Sequence, residues 1–242
     1  MTTPDISDGT SSLGVKKTNI FLLNILVLFT HLSLCGTLAS EATKNWEKMA
    51  LDEALKLYIL AADGDEKSVS KAESIVKKIL EGSPKQFEAH AILGGVYTLK
   101  ARRSFWANKK ISYVKRGMEM MDKAVEGAPK NLTIRWVRGS NNIHMPKFLN
   151  RFDLAKNDLE IVWEKIMKNA DDFPILRKQK TGHLFGMALY KSGEKEKADK
   201  TWKTAIEFAP DSIISKKISQ TSKKLKSNST DQSKLGPGRF RR

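Results

Sequence analysis

The segment ADKTWKTAIEFAP, Ala198 to Pro210, closes on a spacing that the chain has already used twice. AESIVKKILEGSP (Ala72 to Pro84) and GMEMMDKAVEGAP (Gly117 to Pro129) repeat it. Each has a small residue, a bulky apolar residue four on, an apolar residue three further, and a proline five after that. Spacings of four and three put the marked positions on one face of a helix. A proline shortly after the stripe ends the helix. The small residue lets a second helix approach closely. A chain that repeats such a segment builds helical units that must stack, because none buries its apolar face alone.

The rest of the central region agrees. The 242 residues are 40% hydrophobic and 29% charged, enough for a folded core. Between Trp46 and Pro210 no alternating strand pattern interrupts the helical periodicity. Prolines at 84, 129, 174 and 210 are spaced by 45, 45 and 36 residues. Each is expected to open the next helix, where a missing N–H costs nothing. A period in the thirties to forties with two helices per unit marks a helical solenoid.

The final unit runs Phe185, Gly186, Leu189, Gly193, Ala198, Trp202, Ala205, Pro210. That order resembles a tetratricopeptide repeat (TPR). An earlier unit matches with Leu93, Gly94, Tyr97, Gly117, Met121, Ala124 and Pro129, and about eleven extra residues, Ala101 to Ile111, fall between its helices. A third runs through Trp136 to Ile143, then Ala155, Leu159 and Val162, with Met145 to Phe148 in an elongated turn and a second helix reaching Asn169. The first, Trp46 to Pro84, keeps Ala72 but has no Leu-Gly pair. The style is similar to that of exported bacterial TPR proteins. The resemblance implies an all-α, TPR-like solenoid of antiparallel helix pairs over residues 43–210, with about eight helices. Residues 211–242 are expected to add a capping helix, Ser212 to Ser227, whose apolar face is Ile213, Ile214, Ile218 and Leu225. Asn228 to Arg242 reads as a disordered basic tail.

Residues 1–42 read as a secretory signal or membrane anchor. Lys16 and Lys17 precede the apolar run Ile20 to Leu34, and small residues suit a cut after Ala39 or Ala42. Cys35, in Leu32-Ser-Leu-Cys-Gly36, permits a lipoprotein reading, although Leu34 is a poor residue before an acylated cysteine. Localisation is therefore expected in the periplasm or cell envelope, and membrane contact through the signal, the anchor or a lipidated Cys35.

Catalytic chemistry is not expected. A single cysteine excludes an internal disulfide, and His90, His144 and His183 lie in different units without metal-ligand spacing, so no metal or cofactor is expected. Gly94-Gly95 lies mid-helix rather than in a phosphate loop, and Asp171-Asp172 before Pro174 suits a helix cap. Phe105, Trp106 and Tyr113 lie among Arg102, Arg103, Lys109, Lys110 and Lys115. These aromatics are expected to pack on the neighbouring unit, with a polyanionic envelope surface as the alternative partner of this stretch. An exported chain is not expected to meet nucleic acid. The net charge of +16, with nine Lys/Arg against two Asp after Pro210, makes an anionic envelope surface a partner for the tail.

What the resemblance implies is a non-catalytic protein-interaction module. Its concave groove, lined by first helices, would take a peptide or partner segment. By that alignment the groove residues are Ala91, Thr98, Trp136, Ser140, His183, Met187 and Tyr190. The Lys and Asn with which some TPR proteins clamp a carboxylate are absent, their places holding Ala91, Gly95, Trp136, Ser140, His183 and Met187. The alternative is an accessory subunit of an envelope assembly or solute transporter that holds a small ligand. Export itself is directly testable. Residues 1–45 fused to a reporter active only outside the cytoplasm should give signal; a silent, well-expressed fusion would refute it.

Overall fold

The computed structural model describes residues 41–234. The Lys16-Lys17 and Ile20–Leu34 segments, Cys35 and the end of the basic tail from residue 235 lie outside them. The chain divides into two compact units, Met1–Ala50 and Leu51–Arg242. Of the first, residues 41–50 are described and are helical.

All regular structure among the described residues is helical. Helix α1 covers residues 41–63. It is followed by α2 (Glu66–Gly82), α3 (Phe87–Arg103), α4 (Ala107–Gly127), α5 (Leu132–Asn142), α6 (Phe152–Lys168), α7 (Ile175–Lys191), α8 (Lys195–Glu207) and α9 (Ile213–Lys234). In the second unit α3 packs on α4, α5 on α6 and α7 on α8. Successive pairs join through α2 on α3, α4 on α5 and α6 on α7, while α9 covers α7 and α8. This is an all-α, TPR-like solenoid of antiparallel helix pairs with a closing helix.

The repeated small residues set the distance within each pair. A Cβ on Gly94 would stand 2.7 Å from the Gly117 carbonyl oxygen, and one on Gly117 would stand 2.6 Å from that of Gly94. Here two backbones touch, and no side chain can yield. In the last pair a Cβ on Gly182 would stand 2.6 Å from the Ala205 Cβ, and one on Gly186 would run into the Trp202 ring. Ala198, Trp202 and Ala205 are buried, and the Trp202 indole N–H donates to the His183 carbonyl at 3.1 Å. Leu93, Tyr97 and Ala124 are buried likewise.

The prolines act differently from expectation. Pro84, Pro129 and Pro210 lie three residues before α3, α5 and α9, not at a first helical position. Each is the second residue of a turn closed by a backbone bond, Gln86 to Ser83, Asn131 to Ala128 and Ser212 to Ala209, at 3.0, 3.0 and 3.2 Å. That position suits proline's fixed φ. The turn delivers a capping side chain: Gln86 accepts from the Glu88 N–H, Asn131 from Thr133 and Ile134, and Ser212 from Ser215. His90 and Arg135, each six residues after a proline, donate to the Pro84 and Pro129 carbonyls at 2.8 and 2.6 Å. Only Pro174 directly precedes its helix, α7.

Two segments expected to lie outside the helices are helical. Most of Ala101 to Ile111 lengthens α3 and α4, leaving the three-residue turn Ser104–Trp106. Ala-Arg-Arg and Ala-Asn-Lys-Lys-Ile hold no glycine or proline to stop a helix. For the same reason α9 continues seven residues past Ser227, to Lys234, just before Gly236 and Pro237. Its buried stripe is Ser215 and Ile218, whereas Ile213 faces solvent. Gln179 anchors it, donating to the Ala209 carbonyl at 3.0 Å and to Ser215 at 2.8 Å, and accepting from Ser212 at 2.9 Å.

The middle pairs are also joined by charge. Asp158, fully buried, accepts from Arg138 at 2.6 and 3.0 Å and from Arg135 at 2.8 Å. Arg138 reaches on to Asp122, which Arg151 holds at 2.6 Å. Burial works against the Arg138 charge, but the bonds to Asp158 outweigh it and raise its pKa.

The glycine contacts give opposite expectations for one substitution. Gly94→Ala should lower unfolding stability by about 1–3 kcal/mol, because its new methyl meets backbone. Gly82→Ala, with nothing near the new atom, should raise it by about 0.4–1 kcal/mol. Trp202→Ala should cost about 3–5 kcal/mol. Urea midpoints that move alike for both glycines would refute the close crossing.

Candidate functional site: the first-helix cavity

Because partner helices cross so closely on one side, the first helices α1, α3, α5 and α7 meet on the other. Between them lies a cavity of about 410 Å³. Its apolar walls include Tyr58, Ile59, Leu99, Trp136, Leu184 and Met187, and its cations are Arg102, Lys110, Lys180 and Lys217. A volume of this size suits a small ligand or a few side chains.

The cavity floor is a closed hydrogen-bond set. The Asn141 amide donates to the Tyr58 hydroxyl at 2.5 Å and to the Val137 carbonyl at 2.8 Å, and its oxygen accepts from Thr98. The Ser140 hydroxyl donates to Val137 at 3.0 Å, which leaves its oxygen to accept from Tyr58 at 3.3 Å. Burial pushes the Tyr58 phenol up, so it remains a donor. Trp136 meets Tyr58 edge-on with centroids 6.4 Å apart, and the Arg177 guanidinium lies 4.5 Å from the Trp136 ring centroid. Burial lowers the Arg177 pKa to about 10.

One side of the cavity is held by charge. Asp63, at the end of α1, bonds Lys180 of α7 at 2.5 Å and Lys217 of α9 at 3.3 Å. Burial opposes the Asp63 charge, but Lys180 and Lys217 more than offset it and keep the carboxyl below its usual range. Burial also pulls Lys180 below the lysine range, and Asp63 only partly restores it. The His183 ring contacts the Thr221 hydroxyl at 3.0 Å. Burial, then Lys217 and Lys180, lowers its pKa to about 4.

Five of the residues assigned to the groove line this cavity: Thr98, Trp136, Ser140, His183 and Met187. Ala91 is buried and is not among the lining residues. Tyr190 points elsewhere: it stacks on Trp202 at 5.9 Å and donates to the Leu225 carbonyl at 3.1 Å, so α9 covers it. Tyr58, Asp63, Asn141, His144 and Lys180 line the cavity without having been assigned to the groove from sequence. For Tyr58 and Asp63 the signal was missing, since the first unit has no Leu-Gly pair to fix its register. Asn141 could have been found, five residues before Pro146 and one after Ser140 on a first helix. Among the described residues no group of three His, Cys, Asp or Glu is placed to hold a metal ion.

No protein-family model matches the sequence, and no curated protein matches it. Solved structures are similar in fold. TTC0263, a thermophilic TPR protein in Thermus thermophilus, is 15% identical over 70% of this chain and 79% of that one, with a TM-score of 0.49. MamA MSR-1 is 18% identical over 79% and 91%, at 0.47. MamA from residue 41 to the end, from Desulfovibrio magneticus RS-1, is 15% identical over 77% and 98%, at 0.41.

The buried histidine makes stability depend on pH. His183 folds neutral, whereas in the unfolded chain it takes a proton near pH 6.5. Its contribution is therefore complete above about pH 6.5 and is lost as pH falls towards about 4, by at most about 3 kcal/mol. Burial lowers His144 as well, but that residue is exposed at the cavity mouth, so its share is smaller. His183→Gln should flatten the fall in stability between pH 6.5 and 5. An unchanged slope would contradict the burial of a neutral ring.

Proposed function

We propose that the chain is a non-catalytic protein-interaction module of the cell envelope. Its cavity takes a short segment of a partner protein, an apolar side chain next to a carboxylate. One observation carries the reading: four first helices contribute an apolar wall, and Arg102, Lys110, Lys180 and Lys217 stand around it with Asp63 as the lone acid. An apolar group would fill the wall, and a carboxylate would answer the cationic excess. Catalysis fits poorly, because the hydroxyl and carboxyl groups lining the cavity are tied to neighbours: Thr98, Asn141, Tyr58 and Ser140 form one set, and Asp63, Lys180 and Lys217 another. Among the described lining residues no nucleophile is paired with a base.

A second reading has its own support. The Asp63 ion pairs bridge the end of α1 to α7 and α9, so this side of the cavity is bounded. A bounded cavity of about 410 Å³ also suits a small anionic ligand with an apolar body. Both readings place the occupant against Met187. A displayed peptide library selected on the full chain should enrich sequences with an apolar residue beside Asp or Glu. Met187→Trp, which fills the space, should weaken their capture at least about tenfold. The fluorescent anion anilinonaphthalene sulfonate should be displaced by the same peptides. Peptides that bind Met187→Trp as well as wild type would sink the proposal. Probe binding lost in that variant, with no peptide enriched, would favour the small ligand.

A further inference from the structure

We infer that the tip of the α3–α4 hairpin docks on a bilayer surface carrying anionic headgroups. The inference is independent of what fills the cavity. Phe105 is 91% exposed, Trp106 62% and Ile111 68%, so of the three aromatics expected to pack on a neighbouring unit Phe105 and Trp106 do not, while Tyr113 stacks on Tyr97 of its own helix pair. Phe105 and Trp106 instead meet each other edge-on at 5.7 Å. Residues 107–112 are helical yet exposed at every position, and only Lys110 among them turns to the cavity. The lengthened hairpin therefore carries an apolar tip beyond its packed part.

The charge around the tip has one sign. From Ala101 to Met118 the sequence has Arg102, Arg103, Lys109, Lys110, Lys115 and Arg116 and no Asp or Glu. Arg103 is drawn back to Glu66 and the Gly64 carbonyl, and Arg116 lies over the Tyr97 ring. Lys109 and Lys115 remain exposed beside Ile111. Three large apolar side chains this exposed, within seven residues, are a docking feature rather than ordinary surface. Trp and Phe suit the headgroup level of a bilayer, and the lysines suit its anionic lipids. A single-stranded nucleic acid fits less well. Bases stack on open aromatic faces, whereas one of these rings is covered by the other's edge, and Ile111 offers a base nothing.

The test uses the full chain, phosphatidylcholine vesicles with brominated acyl chains, and the same vesicles with added phosphatidylglycerol. Because the Ile20–Leu34 run has its own apolar character, the readout is the part of the tryptophan emission that Trp106→Phe removes. That part should be quenched by the anionic vesicles and much less by the neutral ones. Phe105→Ser with Ile111→Ser, which keeps Trp106, should raise the lipid needed for half-quenching at least about tenfold. Lys109→Gln with Lys115→Gln should raise it roughly fivefold per lysine, and high salt should mimic that change. All these positions are exposed, so helical content should not change. The proposal is overturned if Trp106→Phe leaves quenching as it was, if the two lipid mixtures act alike, or if the paired variants match wild type. It is equally overturned if a single-stranded oligonucleotide, and not vesicles, alters Trp106 emission.

Discussion

The contact between the Gly94 and Gly117 backbones fixes most of what the solenoid can be. A helix pair is usually held apart by the side chains between its axes. Here a carbonyl oxygen of each helix occupies the place where the other would carry a Cβ. The last pair uses the same device in a softer form, with Gly182 on Ala205 and Gly186 on the Trp202 ring. In the third pair a Cβ on Gly139 would stand 3.0 Å from Leu159 and 3.3 Å from the Ala155 carbonyl. Close crossing on the partner side leaves the first helices free to contact one another, α3 with α5 and α5 with α7. The cavity is the space that remains between them.

That division explains what was legible in the sequence. The crossing depends on residues three, four and seven apart, so Ala198, Trp202 and Ala205 announce themselves in thirteen letters. The cavity depends on residues that meet only after folding. Tyr58 reaches Asn141 across 83 positions, and Asp63 reaches Lys217 across 154. Face arithmetic within one helix points to Thr98, Trp136, Ser140, His183 and Met187, all of which line the cavity. It misplaced Tyr190, because that side of α7 is covered by α9, which no repeat pattern encodes. The insert lies outside the repeat pattern for a different reason: the repeat signature does not say where extra residues go, and without a helix breaker they extend the helices on either side.

Three acids tie elements together at three depths: Asp158, fully buried, with Arg135 and Arg138; Asp122, part-buried, with Arg138 and Arg151; and Asp63, at the surface, with Lys180 and Lys217. Around the buried Asp158, desolvation offsets much of the ionic attraction, so those bonds serve registry between helices more than net stability. The surplus of +16 is unevenly placed along the chain, and some stretches hold no acid at all. The stretch from Ala101 to Met118 is the clearest case, and it also holds three exposed large apolar residues, Phe105, Trp106 and Ile111.

The two sites share an element. Lys110 and Val114 of α4 line the cavity, while Trp106 and Ile111, within four residues of Lys110, form the exposed tip. Lys110 can answer a charge in the cavity or one on the docked surface, but a single ammonium group does not satisfy both fully. A bilayer held at the tip would therefore compete for part of the charge that attracts a carboxylate into the cavity. It would also raise the local density of anions at the mouth where His144 is exposed. If both sites were occupied as proposed, Lys110 would be shared between two anions, and each partner would weaken the other, a mutual effect that linkage requires.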